Sequence, residues 1–343
     1  MKGPESNEGL NLPDHREKIP YTERSILVLG GSSGIGLKAL AEFSRIGAAN
    51  VYVGTRSLEN FNKARDHLAK REKLDVDSLP IHPFHADVTD KTQIAKAAQE
   101  IKSKGLGITD VIFSQAGGME TYMKSLFTDY MDPITEHTFN TPIYELPEDK
   151  RRIVEEKLGL MRLALAQWTE DAMAHTVAVN YQGTFDLIDV LGEIFPNGFT
   201  GVFYNSTWGE LSGVPGIEIP LLYRPVDRSK AMVRDRLKQQ GTELAKQGIH
   251  MAEIVASLVN DTKVGKMFND FFINLMDKEQ KDAIVASSIQ TQDVVRTTKQ
   301  VLDTDPLKWP TYPHVLYVYK KGGQPVVDTS LELSAMYTTP YRF

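Results

Sequence analysis

The stretch "SILVLGGSSGIGLKALAEF", beginning at Ser25, joins an apolar strand, a glycine-rich turn and the start of an amphipathic helix. No other segment narrows the fold as much. Gly30 allows the chain to turn, Gly34 allows a bound group to come close to the backbone, and Gly36 allows the helix to pack on the strand it has just left. Ser32, Ser33 and Ile35 complete the turn. The amide donors and partial positive charge of the following helix suit an anion such as a pyrophosphate.

Strands and helices alternate along the rest of the chain. Apolar runs at Ser25 to Gly30, Asn50 to Gly54, Ile81 to Ala86, Asp110 to Ser114, Gly201 to Asn205, His250 to Ala256 and His314 to Tyr319 read as strands. Several are apolar almost throughout, as in a parallel sheet covered on both faces. The pattern predicts an α/β fold, a Rossmann-like doubly wound parallel sheet of about seven strands with helices on both faces. A polar arm over 1–24, a single domain over 25–320 and a tail over 321–343 complete the expected organisation. Within the domain, 118–170 is too long for an ordinary connection. It contains a helical segment, "LPEDKRRIVEEKLGLMRLALAQW", that suits a packed surface or subunit insertion, or a lid.

Charge and composition exclude several functions. The 343 residues are 41% hydrophobic and carry a net charge of -6, so no strong general pull toward nucleic acid or anionic lipid is expected. There is no cysteine, which removes disulfides, thiolate nucleophiles and cysteine-ligated zinc. The first 24 residues are polar, and no apolar run is long enough to span a bilayer, so a cytoplasmic protein is expected. His82 and His85 lie in "IHPFH" with Pro83 between them. On a strand they point to opposite faces, so no metal site is expected there.

The glycine turn, in the spacing G-x-x-x-G-I-G, resembles that of the short-chain dehydrogenase/reductase family. The similarity continues in "HADVTD", "FSQAGG", "AVNYQGTFDL", "GVFYNSTWGE" and "RSKAMV". The resemblance implies a nicotinamide dinucleotide held by Gly30, Ser32, Ser33, Gly34, Ile35 and Gly36. Asp87 and Val88 would line the adenine, and Gln115, Ala116 and Gly117 would lie along the cofactor. Lys230 would grip the ribose and Thr262 would contact the carboxamide. Thr55 and Arg56 follow the second strand where an acid would bind an unmodified ribose. An arginine instead pairs with a 2'-phosphate, so NADPH/NADP+ is the expected cofactor.

The resemblance also implies a proton-transfer set of Asn180, Ser206 and Lys230 with a tyrosine. The usual tyrosine position, four before the lysine, holds Val226, which cannot be a general acid. Tyr223 precedes Lys230 in a Y-x6-K spacing similar to the divergent enoyl-acyl carrier protein reductase branch. Steps of four and seven both return to nearly the same helix face, at ~100° per residue. Pro225 favours the first helical position and so puts Tyr223 at the helix entrance. Tyr223 is thus the expected proton donor; Tyr181, Tyr204 or a bound water are the alternatives.

The implied activity is NADPH-dependent reduction of a carbonyl on a fairly apolar small molecule. Met267, Phe268, Phe271, Phe272 and the loop "GELSGVPGIEIPLL" are candidates for the substrate pocket. Reduction of an activated C=C bond is one alternative. A catalytically impaired NADPH-binding regulatory or scaffold protein is another. The family implies a homodimer or homotetramer.

Overall fold

The computed structural model describes residues 19–115, 117, 134, 141, 143–206, 223–262, 265–266, 282, 285–286 and 288–329. Strands β1 (Ser25–Leu29), β2 (Asn50–Thr55), β3 (Ile81–His85) and β4 (Asp110–Phe113) alternate with helices α1 (Gly34–Arg45), α2 (Leu58–Glu72) and α3 (Lys91–Ser103). Helix α4 (Glu148–Val177) then runs through a π-helical turn, Ala178–Gln182, into α5 (Gly183–Ile194). Strand β5 (Phe199–Ser206), α6 (Arg224–Lys246), β6 (Ile249–Ala256), α7 (Thr291–Asp303), β7 (His314–Lys321) and β8 (Gln324–Asp328) complete the described elements.

The sheet order is β3-β2-β1-β4-β5-β6-β7-β8, parallel except for the β7–β8 pair. This is the doubly wound α/β fold expected from the alternation. Side chains of successive strand residues leave on opposite faces, and the core divides accordingly. Ile26 and Val28 face a layer that includes Leu40, Phe61 and Val294, from α1, α2 and α7. Leu27 and Leu29 face a layer that includes Ile94, Phe185 and Val233, from α3, α5 and α6. Pro83 is accommodated because β3 is an edge strand, where a missing backbone donor is tolerated.

The strand count differs from the sequence reading. There are eight strands rather than about seven, because Gln324–Asp328 folds back antiparallel on β7. Gly322 and Gly323, with φ of 60° and 78°, supply the left-handed turn that such a hairpin needs. The helix within the long fourth connection also runs further than the sequence suggested. It continues unbroken to Val177 and packs along α6, so it leads directly into the turn carrying Asn180. Among the described residues, no helix is long and apolar enough to cross a membrane.

Candidate active site

The carboxyl ends of β1, β4, β5 and β6 converge on one edge, and the candidate residues gather there. At the glycine turn, φ is 69° at Gly30 and 54° at Gly34, a region that favours glycine. A Cβ on Gly36 would lie 2.4 Å from the Gly30 carbonyl oxygen, so this crossing of turn and helix excludes any side chain. Ser33 precedes α1 in extended conformation without a side-chain cap to the helix amides. Ser32 and Ile35 are part-buried on either side of it.

Residues distant in sequence close this end of the turn. A Cβ on Gly30 would come 2.9 Å from the Ser114 carbonyl group, so β4 runs hard against the turn. Thr262 packs on the other side, 3.6 Å from where a Gly34 Cβ would stand, and its hydroxyl is tied to the Val259 carbonyl at 2.9 Å. Gly183 at the start of α5 lies against Val88, whose carbonyl oxygen would meet a Cβ at 2.7 Å. The Asp87 carboxylate accepts the backbone N–H and the hydroxyl of Thr89. Arg56 is exposed just after β2, and His85 Nε2 lies 3.1 Å from its carbonyl oxygen. His82 packs its ring on Tyr52 instead, so the two histidines diverge.

Gln115 braces β4 against the π turn. Its Nε2 donates to Thr184 Oγ1 at 3.0 Å, and Thr184 Oγ1 donates to the Asn180 carbonyl at 2.6 Å. Gln115 Oε1 remains buried without a hydrogen-bond partner among the described residues. The tight glycine turn is compatible with a phosphate-bearing group at the strand ends, and the spare acceptor of Gln115 with a hydroxyl or amide donor on such a group. Gly117 is described, whereas Ala116, the loop 207–222 and Met267, Phe268, Phe271 and Phe272 lie outside the described residues, as does most of 118–142.

Three of the four candidate catalytic residues lie where β5 ends and α6 begins, and the fourth, Asn180, approaches α6 from the π turn. Ser206 closes β5, and Tyr223 stands immediately before α6, with Pro225 in the first helical turn. Their side chains are hydrogen-bonded to each other. Burial pushes the Tyr223 hydroxyl up to about 12; the Asp227 charge adds to this, and the Ser206 bond pulls the other way. Lys230 is buried on the same helix, donates to the Tyr204 carbonyl at 2.5 Å, and holds its ammonium 5.4 Å from the centre of the Phe203 ring. Desolvation brings it down to about 8, against the opposing pull of Glu253 and Asp227. Asn180 lies in the π turn, a geometry often found at functional sites, and its Nδ2 donates to Ser229 Oγ at 3.0 Å. Ser229 is the neighbour of Lys230, so Asn180 reaches the lysine's helix rather than the lysine itself.

The alternative tyrosines lie elsewhere. Tyr204 points to the opposite face of the sheet, where its hydroxyl is 2.7 Å from Thr298 Oγ1 on α7. Tyr181 packs edge-on against Phe185, with Arg236 over both rings. The structure also brings in three residues that the sequence reading passed over: Asp227, Asn205 and Glu253. Glu253 did carry a signal. It is the lone acid of the otherwise apolar end of β6, and a carboxylate in a strand covered on both faces is costly unless it is paired. Among the described residues, no group of His, Asp and Glu could hold a metal ion.

A family model described as short chain dehydrogenase matches residues 24–143. A short-chain dehydrogenase/reductase of Armillaria gallica is 24% identical over 80% of this chain and 82% of its own length. The short chain dehydrogenase pigC of Monascus ruber is 29% identical over 33% of this chain, a match that spans only 36% of that relative. A solved short-chain type dehydrogenase/reductase from Mycobacterium ulcerans superposes with a TM-score of 0.58 at 16% identity. That likeness covers 87% of this chain and 89% of the other, and shows a shared fold. These likenesses support membership of the short-chain dehydrogenase/reductase family, whose members are oxidoreductases that bind nicotinamide cofactors.

Proposed function

We propose that this chain is an NADPH-dependent reductase that acts on the carbonyl of a fairly apolar small molecule. The observation that carries the reading is the hydrogen bond between Ser206 and Tyr223. It joins a group able to hold a carbonyl oxygen to a group able to protonate it. The nicotinamide, when bound, supplies the hydride. In this reading the turn from Gly30 to Gly36, with Thr262 beside it, holds the pyrophosphate. Asp87, Val88, Gln115, Ala116 and Gly117 line the cofactor's path, and Arg56 pairs with the 2'-phosphate.

Ser206 orients the carbonyl oxygen, and Tyr223 passes it the phenolic proton. A hydroxyl held up near 12 keeps that proton through the neutral range, so a cation beside the phenolate is needed to ease its transfer. Lys230, as a cation, offsets the negative charge left on the phenolate, and Asn180 steadies the lysine's helix through Ser229. Assembly as a homodimer or homotetramer belongs to the same reading. Ile153, Leu160 and Leu163 leave an apolar edge of α4 exposed for it.

The Y-x6-K spacing supports a second reading, reduction of an activated C=C bond. Product analysis separates the two: a ketone gives an alcohol, whereas an enone loses its alkene absorbance. The proposal itself is tested with Tyr223→Phe. Turnover with NADPH and an apolar ketone should fall at least about a hundredfold, with NADPH affinity nearly unchanged. An unchanged rate removes Tyr223 from the mechanism.

A further inference from the structure

Glu253 is fully buried in β6, a strand of eight buried residues, where it pairs in register with Phe203 of β5. A valine or alanine would suit that position without the cost of desolvating a carboxyl group. Its surroundings explain what the carboxyl group holds. Asn205 Nδ2 donates to Glu253 Oε1 at 2.7 Å, and Asn205 Oδ1 accepts the backbone N–H of Ser206 at 2.8 Å. Glu253 therefore reaches Ser206 through one amide side chain. It also acts electrostatically on Lys230, from the neighbouring strand.

We propose that Glu253 is a positioning residue for this site, an ionised counter-charge to Lys230 that is fixed in place by Asn205, which in turn fixes Ser206. The inference rests on the roles given above to Ser206 and Lys230. The physical case lies in the balance of charge around Lys230. Desolvation disfavours its ammonium, and two groups oppose this, Glu253 from β6 and Asp227 from its own helix. Strand β5 offers the Tyr204 carbonyl and the Phe203 ring. The π turn reaches this helix through the bond from Asn180 to Ser229, and Tyr223 lies on the side of Asp227 away from Lys230 along the chain. Arg234, one turn further along α6, lies 3.6 Å from the Asp235 carboxylate. Removing the negative charge at Glu253 leaves Asp227 alone to favour the cation, so Lys230 gives up its proton at a lower pH.

The test is NADPH binding by the full chain, followed through tryptophan fluorescence across a pH series, for the wild type, Glu253→Gln, Glu253→Asp and Lys230→Met. In the wild type, affinity should fall as pH rises through about 8, where Lys230 loses its charge. In Glu253→Gln, which keeps an acceptor for Asn205 but removes the charge, that midpoint should move down by about one pH unit or more. A merely structural glutamate would leave it in place, and an unmoved midpoint overturns the proposal. Should Glu253→Gln not fold, Glu253→Asp withdraws the charge by one methylene. A midpoint below that of the wild type then supports the proposal, and the wild-type midpoint overturns it. Lys230→Met separates the two levels of argument. If it binds NADPH like the wild type at every pH, the reading of Lys230 fails and this inference falls with it. If it loses affinity while the Glu253 variants titrate like the wild type, only the inference about Glu253 fails.

Discussion

Ser206 and Tyr223 share a side-chain hydrogen bond, although one ends a strand and the other opens a helix. The position usually filled by the tyrosine, Val226, is buried beside them, and its carbonyl accepts the Ser229 hydroxyl at 2.8 Å. The serine's partner is thus one helical turn upstream of the expected place. Four consequences can be measured.

The first concerns pH. Tyr223 keeps its proton up to about 12, whereas Lys230 is a cation below about 8 and neutral above it. A reduction that needs a protonated Tyr223 and a charged Lys230 therefore loses rate as pH rises through about 8. Tyr223 itself adds no limb in that range. The value of kcat/KM with NADPH and an apolar ketone, followed from about pH 6 to about pH 10, reports these free-enzyme ionisations. A profile flat to the alkaline end contradicts the assignment.

The two tyrosines near the end of β5 should behave oppositely. Tyr204→Phe removes a hydroxyl that meets Thr298 on the far face of the sheet and leaves the backbone carbonyl that accepts Lys230. It should cost about 1 kcal/mol of stability, read by urea denaturation, with turnover within a few-fold of the wild type. Loss of turnover comparable to that of Tyr223→Phe would restore Tyr204 as a candidate acid.

Arg56 should govern the choice between the two nicotinamide cofactors. Arg56→Ala should weaken NADPH binding by roughly tenfold to a hundredfold, the worth of a charge-assisted pair, while NADH affinity stays nearly constant. Titration of each cofactor against the variant measures this. Equal losses for both cofactors would mean that Arg56 supports the fold rather than the phosphate.

Two glycines make a control pair for the turn. Gly36→Ala drives a methyl group to 2.4 Å from the Gly30 carbonyl oxygen and should cost on the order of 1–3 kcal/mol, with much weaker NADPH binding. Gly159→Ala lies in α4, with nothing within 4 Å of the new methyl group. It should raise stability by about 1 kcal/mol, because alanine loses less conformational freedom in a helix. Denaturation midpoints of both variants, measured together, check the two signs.

Much of this was legible in the chain itself because it depends on local pattern. The run from Ser25 through Gly36 dictates strand, turn and helix, since a side chain at Gly36 has nowhere to go. The apolar strands announce a sheet covered on both faces, and Asn180, Ser206 and Lys230 stand in motifs that order them along the chain. The eighth strand had only a glycine pair as its signal, and its pairing with β7 is what gives that pair meaning.

What the sequence left open was which groups meet, because meeting is set by packing between elements and not by spacing along one of them. Tyr223 was the expected donor and Tyr181 and Tyr204 were alternatives, and it took the packing to turn Tyr204 toward α7 and to set Tyr223 against Ser206. Gln115 was expected only along the cofactor, and it also braces β4 against the π turn through Thr184. Glu253 reads as an oddity in a strand, and only the adjacency of β5 and β6 sets it under Asn205 and within the field of Lys230. The sequence by itself determined the fold and the residue types available for chemistry. The tertiary structure decided their pairing, because burial and distance fix which charges and hydroxyls act on one another.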